Sequence, residues 1–217
     1  MTKNFFSDNK NQVVANKIKD FLNSQKDLLS ARTANSPRAV GDAIQDLLED
    51  NIEQFIGADG KNFGSSFARR AMADLAFEDK AGNYYIIDIK THRLDTKFNM
   101  PNLTSVERLA RFYEDDNNHF TLLLIAYDIA DNGLLVRDVK FVPIEHLSWE
   151  CLTIGALGWG QIQIANSNHI IINPKNTRKS WMLELCDIML EFYPKEVIKI
   201  GKRIQKFEEI KAFWLSK

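Results

Sequence analysis

The stretch that decides the fold runs Met72-Ala73-Asp74-Leu75-Ala76-Phe77-Glu78, then Asp79-Lys80-Ala81-Gly82-Asn83, then Tyr84-Tyr85-Ile86-Ile87-Asp88-Ile89-Lys90. It reads as strand, tight turn, strand. Side chains alternate along a strand, so Asp88 and Lys90 share a face, and Asp74 shares one with Ala76 and Glu78. An antiparallel hairpin places Asp74 nearly opposite Asp88. Two carboxylates then lie within reach of one divalent cation, with an ammonium beside them. Such a group suits activation of water against a phosphodiester. Asp88 also sits inside an apolar run that reads as a buried central strand. A carboxylate there is costly unless a metal or a partner compensates it. The competing reading is a surface hairpin with solvated charges.

The spacing Asp-x13-Asp-x-Lys resembles the PD-(D/E)xK nuclease superfamily, with Ala73 where that pattern carries proline. On this reading Asp74 and Asp88 hold Mg²⁺, with the backbone carbonyl of Ile89 as a further oxygen ligand. Lys90 orients the attacking water and offsets charge on the phosphorane. Its structural alternative is an ion pair with Asp88. Glu78 is expected on the catalytic face at the open end of the hairpin.

The chain has 217 residues, which suits one domain spanning 1–217. At 45% hydrophobic residues it can bury a sizeable core. Its longest apolar run, Leu122 to Tyr127, is too short to span a bilayer, and the first residues lack a signal-peptide core, so a cytoplasmic protein is expected. Cys151 and Cys186 match no metal or redox spacing and are expected to be reduced, buried and inert. The four histidines form no zinc pattern. Net charge is −1, so basic groups for nucleic acid must be concentrated locally. Residues 175–217 lean basic, with ten Lys/Arg against six Asp/Glu.

Around the hairpin, residues 10–30 read as an amphipathic helix bearing Val13, Val14, Ile18, Phe21, Leu22, Leu28 and Leu29 on its apolar side. Residues 31–39 read as a loop. A second helix covers about 40–56, with Ile44, Leu47, Leu48, Ile52 and Phe55 inward, and Asp42, Asp46, Glu49 and Glu53 on the opposite face. After the hairpin come a loop over 91–102 and a capping box at Thr104-Ser105-Val106-Glu107 opening a helix to about Asp115. A strand from Phe120 to Ile129 completes a βαβ unit. Asp131-Asn132-Gly133 turns into a strand over 134–142. Short strands are expected at 160–165 and 169–173, and helices at 178–192 and 195–214. The fold class is α/β, a mixed central β-sheet flanked by helices.

Further elements resemble one branch of type II restriction endonucleases, the blunt cutters that include HincII, SwaI and EcoRV. They are Ile87-Asp88-Ile89-Lys90-Thr91, Met100-Pro101-Asn102, Gly160-Gln161-Ile162-Gln163-Ile164 and Thr177-Arg178-Lys179-Ser180-Trp181, in that order along the chain. The resemblance implies a restriction-endonuclease-like core. It further implies a homodimer embracing a palindromic site in double-stranded DNA, each subunit cutting one strand with Mg²⁺. A cognate DNA methyltransferase belongs to the same restriction–modification system, with no direct contact implied. An acid on the second helix, Asp46 or Asp42, would complete the site. Asn99 and Asn102 are expected to read bases, with Met100 beside them. Gln161, Gln163, Asn166 and Asn168 form a second set, which reads equally well as strand and turn residues satisfying the backbone. Lys97, Arg93, Lys175 and Arg178, and Arg69 and Arg70, are candidates for phosphate contacts. The rival functions are a structure-selective nuclease of the same superfamily, acting on junctions or in repair, and a catalytically silent DNA-binding module.

Overall fold

Leu75, Phe77, Tyr85, Ile87 and Ile89 alternate onto one face of the hairpin and share a core with Val14, Ile18, Leu22, Val40, Ile44, Leu48 and Ile52. The two periods, two for the strands and three to four for the helices, specify one layer of helix on one layer of sheet. The computed structural model describes residues 5–6, 9–25, 28, 36–66, 72–130 and 133–217. In chain order its elements are α1 (Lys10–Ser24), α2 (Pro37–Ile56), β1 (Gly60–Gly64), β2 (Leu75–Asp79), β3 (Tyr84–Arg93), β4 (Asn102–Ser105), α3 (Val106–Phe112), β5 (Asn118–Ala130), β6 (Gly133–Pro143), β7 (Leu152–Gly155), β8 (Gln161–Ile164) and α4 (Arg178–Leu215). They fall into two compact units, Met1–Asn173 and Pro174–Lys217.

The main sheet has the order β1-β2-β3-β5-β6, with β3 at its centre. β2 and β3 are antiparallel, pairing Leu75 with Ile87 and Phe77 with Tyr85. β3 runs parallel to β5 from Tyr84–Asn118 to Arg93–Tyr127, and β6 returns antiparallel to β5. The sheet is therefore mixed, as the sequence implies. At the hairpin turn, the Asp79 carboxylate accepts bonds from the Ala81 and Asn83 amides, the Asn83 side chain and the Tyr85 hydroxyl. Gly82 takes φ +87°, which an L side chain resists. The far edge of the sheet is covered by α1. Asn23 brackets the Val136 backbone with both amide atoms, and Asn11 donates to the Phe141 carbonyl. That satisfies an edge strand which would otherwise recruit another chain. No helix among the described residues is long and apolar enough to cross a membrane.

Several boundaries differ from the sequence reading. α1 stops at Ser24, where Gln25 leaves helical geometry, and Val13 is exposed. α2 starts earlier, because Pro37 suits a first helical position and Ser36 caps it by accepting from the Ala39 amide. The expected capping box does not form. Thr104 belongs to β4, committed by its pairing with Ile162, and Ser105 stands before α3 with no side-chain cap bond. Nor do residues 169–173 form a strand; one isolated bridge joins Ile172 to Leu147. The two expected C-terminal helices are one, α4, which runs through Pro194. An internal proline removes one helical bond and costs about 3 kcal/mol. Long helical runs on both sides tolerate that loss. Asp131 and Asn132 lie outside the described residues, although β5 and β6 pair down to Ala130–Gly133. Cys151 is buried as expected, whereas Cys186 is exposed.

Candidate active site

Asp74 lies one residue before β2. Its amide donates to the Ile87 carbonyl at 3.1 Å, and its Oδ2 accepts from the Ile89 amide at 2.8 Å. Continuing the Leu75–Ile87 register by one residue sets Asp74 opposite Asp88, as the alternation of the sequence implies. Lys90 Nζ is 2.6 Å from Asp88 Oδ1. Asp88 Oδ2 is buried with no hydrogen-bond partner among the described residues. Burial pushes the Asp88 carboxyl up to about 7, against the pull of Lys90, and the nearby Asp74 charge pushes the same way as burial. A central strand thus holds a carboxylate that neither water nor one lysine fully compensates.

This donor set suits a hard divalent cation. Two carboxylates meet across a strand pair, and one buried oxygen lacks a partner. The Ile89 carbonyl could supply a third oxygen. Its amide faces β2 to reach Asp74, so by strand geometry its carbonyl faces the same way, past the first residue of β2. No group of three or more Asp, Glu, His or Cys that could hold a metal occurs among the described residues.

A cleft of about 370 Å³ lies between the start of α2 and the chain leaving β3; Lys90 lines it, whereas Asp74 and Asp88 do not. Ile89, Lys90, Thr91, Asn99 and Tyr127 line it, with Asp42 and Gln45 of α2. Asp46 is exposed and does not line it, so of the two helix acids considered the structure brings only Asp42 to the cleft. The reason is height along the helix: Asp42 and Asp46 share a face one turn apart, and only Asp42, beside Gly41, stands at the end nearest Thr91. Glu49 instead hydrogen-bonds Ser65. Glu78 is not at the open end of the hairpin. It lies beside the turn opposite Tyr84, and it takes a bond from Asn62 and an ion pair from Lys61.

The two sets of candidate base readers converge on one small sheet, β4-β8-β7. Asn102 pairs with Gln163 across β4 and β8, and Gln163 Nε2 donates to Asn102 Oδ1 at 2.6 Å. Gln161 lies opposite Ser105. The Asn99 carbonyl accepts from the Ser167 amide, and the Pro101 carbonyl from the Ile164 amide. Asn168 donates to the carbonyls of Thr96 and Lys97, so it is a tie between segments and the Asn166 side chain caps its amide. Met100 and Lys97 are exposed. Arg93 is bonded to Asp95. Lys175 and Arg178 belong to the second unit, Arg178 as the first residue of α4. Arg69 and Arg70 lie outside the described residues.

Sequence reading passed over His92, Gln45 and Tyr127. His92 follows Asp88 and Lys90 at the same alternation, and that period was the available signal. Its Nε2 lies 2.8 Å from Asn168 Oδ1, joining β3 to the 166–168 turn. Tyr127, level with Arg93 on β5, carries a buried hydroxyl with no bond partner among the described residues. Nothing local in the sequence places it near the cleft.

No protein-family model matches this chain, and no curated protein matches it in sequence. Among solved structures, the chain is similar to the NlaIV restriction endonuclease at a TM-score of 0.41 and 14% identity. The match covers 65% of this chain and 58% of that one, so the chain spans less than two thirds of that protein's length. A superposition this loose assigns no role to any residue.

Proposed function

We propose that this protein is a Mg²⁺-dependent endonuclease that hydrolyses double-stranded DNA at a palindromic site. It works as a homodimer in which each copy cuts one strand, leaving blunt ends, and serves a restriction–modification system with its own methyltransferase. The observation that carries the reading is the buried Asp88, with Asp74 opposite it, Lys90 at 2.6 Å and one oxygen unpartnered.

Asp74, Asp88 and the Ile89 carbonyl would hold the cation. When bound, it supplies Lewis-acid activation of the scissile phosphate and of water. The chain's own contribution is placement. Lys90 stands next to Asp88 on the same face, its side chain 23% exposed, where its ammonium orients the attacking water and offsets charge on the phosphorane. Burial of Asp88 keeps bulk water from competing for that charge.

Site reading is assigned to the Asn102–Gln163 pair. With Gln163 Nε2 donating to Asn102 Oδ1, the groups this bond leaves over are a donor, Asn102 Nδ2, and an acceptor, Gln163 Oε1. Adenine shows the complementary N7 acceptor and N6 donor in the major groove. Asn99, Met100 and Gln161 flank the pair, and Lys97 and Arg178 are assigned phosphates.

Digestion of a genome-sized DNA with Mg²⁺, followed by sequencing of the fragment ends, tests this reading. Recurrent palindromic ends, lost with Asp88→Ala, are expected. Nicking only at junctions or flaps would make the enzyme structure-selective. Absence of any cleavage by the wild type would make it a binding module.

A further inference from the structure

The C-terminal half of α4 carries a second pattern that the nuclease reading does not use. Leu190, Val197, Ile204 and Lys211 recur every seven residues, and so do Tyr193, Ile200, Phe207 and Trp214. In heptad terms these are successive a and d positions, and seven of the eight are apolar. All seven apolar side chains are 40–72% exposed, whereas the stripe Trp181, Leu185 and Met189 earlier in the helix is buried. A soluble helix does not keep such a seam open without something to cover it. Ile198 and Phe213 are exposed off the seam.

The shape of the seam agrees with its period. A groove along the helix is lined by Ile200, Arg203, Ile204, Phe207, Glu208 and Lys211. Ile200, Arg203, Ile204 and Phe207 are the d, g, a, d set that receives an a-position knob. Ile204, Phe207, Glu208 and Lys211 are the a, d, e, a set that receives a d-position knob. Two consecutive holes of a coiled coil are therefore already formed on one helix.

Charge identifies the occupant. Off the seam, Lys195 pairs with Glu191, Lys199 with Glu196 and Lys206 with Glu209, all within the helix. Arg203 and Glu208 have no ion-pair partner among the described residues. They occupy a g position and the following e position, which meet across a parallel, in-register pair of identical helices. Arg203 of each copy then faces Glu208 of the other. The next g and e positions, Ile210 and Leu215, are both apolar and match each other. The single polar a position, Lys211, sets the register and favours two strands.

We infer that residues 190–214 of α4 form a parallel two-stranded coiled coil with a second copy of this chain. The interface goes beyond the proposed nuclease function, sharing with it only the existence of a second copy. Sedimentation of the full chain without DNA tests it, so failure of the interface leaves the cleavage reading standing, and absence of cleavage leaves the interface standing. Wild type is expected to be a dimer at micromolar concentration, and Ile204→Asp a folded monomer by circular dichroism. Arg203→Glu should raise the dimer dissociation constant about tenfold, by losing two pairs worth a few-fold each. Arg203→Glu with Glu208→Arg should restore the wild-type constant, since the swapped pair has the same geometry. A monomeric wild type, a dimer that survives Ile204→Asp, a trimer, or a double variant no tighter than Arg203→Glu overturns the proposal. So does a wild type that stays monomeric and instead binds anionic phospholipid vesicles.

Discussion

Asp88 is the residue at which structure and chemistry meet, and its protonation has a thermodynamic signature. A free aspartate titrates near 3.8, while burial holds this one near 7. Between those values the folded, metal-free chain keeps a proton that the unfolded chain has released. Stability therefore falls as pH rises through that window. Asp88→Asn removes the penalty. In EDTA, urea unfolding should show the variant about 2–4 kcal/mol more stable than wild type at pH 8 and near parity at pH 4. Equal pH dependence for both proteins would mean that Asp88 is not the buried, uncompensated carboxylate described above. The same variant should lose Mg²⁺-dependent cleavage, so stability and activity move in opposite directions. Asp74, Asp88 and Lys90 were legible in the sequence because one tight turn fixes the register, and alternation does the rest. Tyr127 and Gln45 were not, since each reaches the cleft through contacts distant in sequence.

At the scale of elements, what was legible followed local period and what was missed followed non-local pairing. The buried runs of β3 and β5 and the stripe of α2 announce themselves. β4 does not, because Thr104-Ser105-Val106-Glu107 has the composition of a helix cap and only β8, more than fifty residues away, makes it a strand. Pro194 misled in the opposite direction, splitting on paper a helix that the chain keeps whole. The small sheet that results offers a test of base reading. A Cβ added at Gly155 would lie 2.7 Å from Gln163 Oε1. The far end of that side chain can swing away, so Gly155→Ala should cost less than about 1 kcal/mol in stability. Gln163 would then leave Asn102. Both Gly155→Ala and Asn102→Ala should lose about 1–3 kcal/mol of discrimination at the same base pair of the half-site. Cleavage of single-base-variant oligonucleotides measures it. Wild-type discrimination in both variants would remove the pair from recognition.

For the whole molecule, the net charge of −1 is itself a constraint. A nearly neutral protein gains little from its overall field when approaching DNA, so the DNA binding proposed above requires a few placed cations. Lys97 is exposed on the chain between β3 and β4, two residues before Asn99, whose backbone is tied to Ser167. If it contacts a phosphate, its loss weakens binding on every sequence alike, without altering preference among bases. Counterion release then also counts the copies on the DNA. Each phosphate contact contributes about 0.9 to the slope of log affinity against log salt. A symmetric dimer has two Lys97 side chains, so Lys97→Ala should reduce the slope by about 2, whereas a lone subunit would lose about 1. Binding by Asp88→Ala, with and without Lys97→Ala, across a salt series separates these cases without cleavage. A slope change near 2 on specific and random DNA is the expected result. A change near 1 would mean that one copy engages the duplex at a time, and no change would remove Lys97 from the interface.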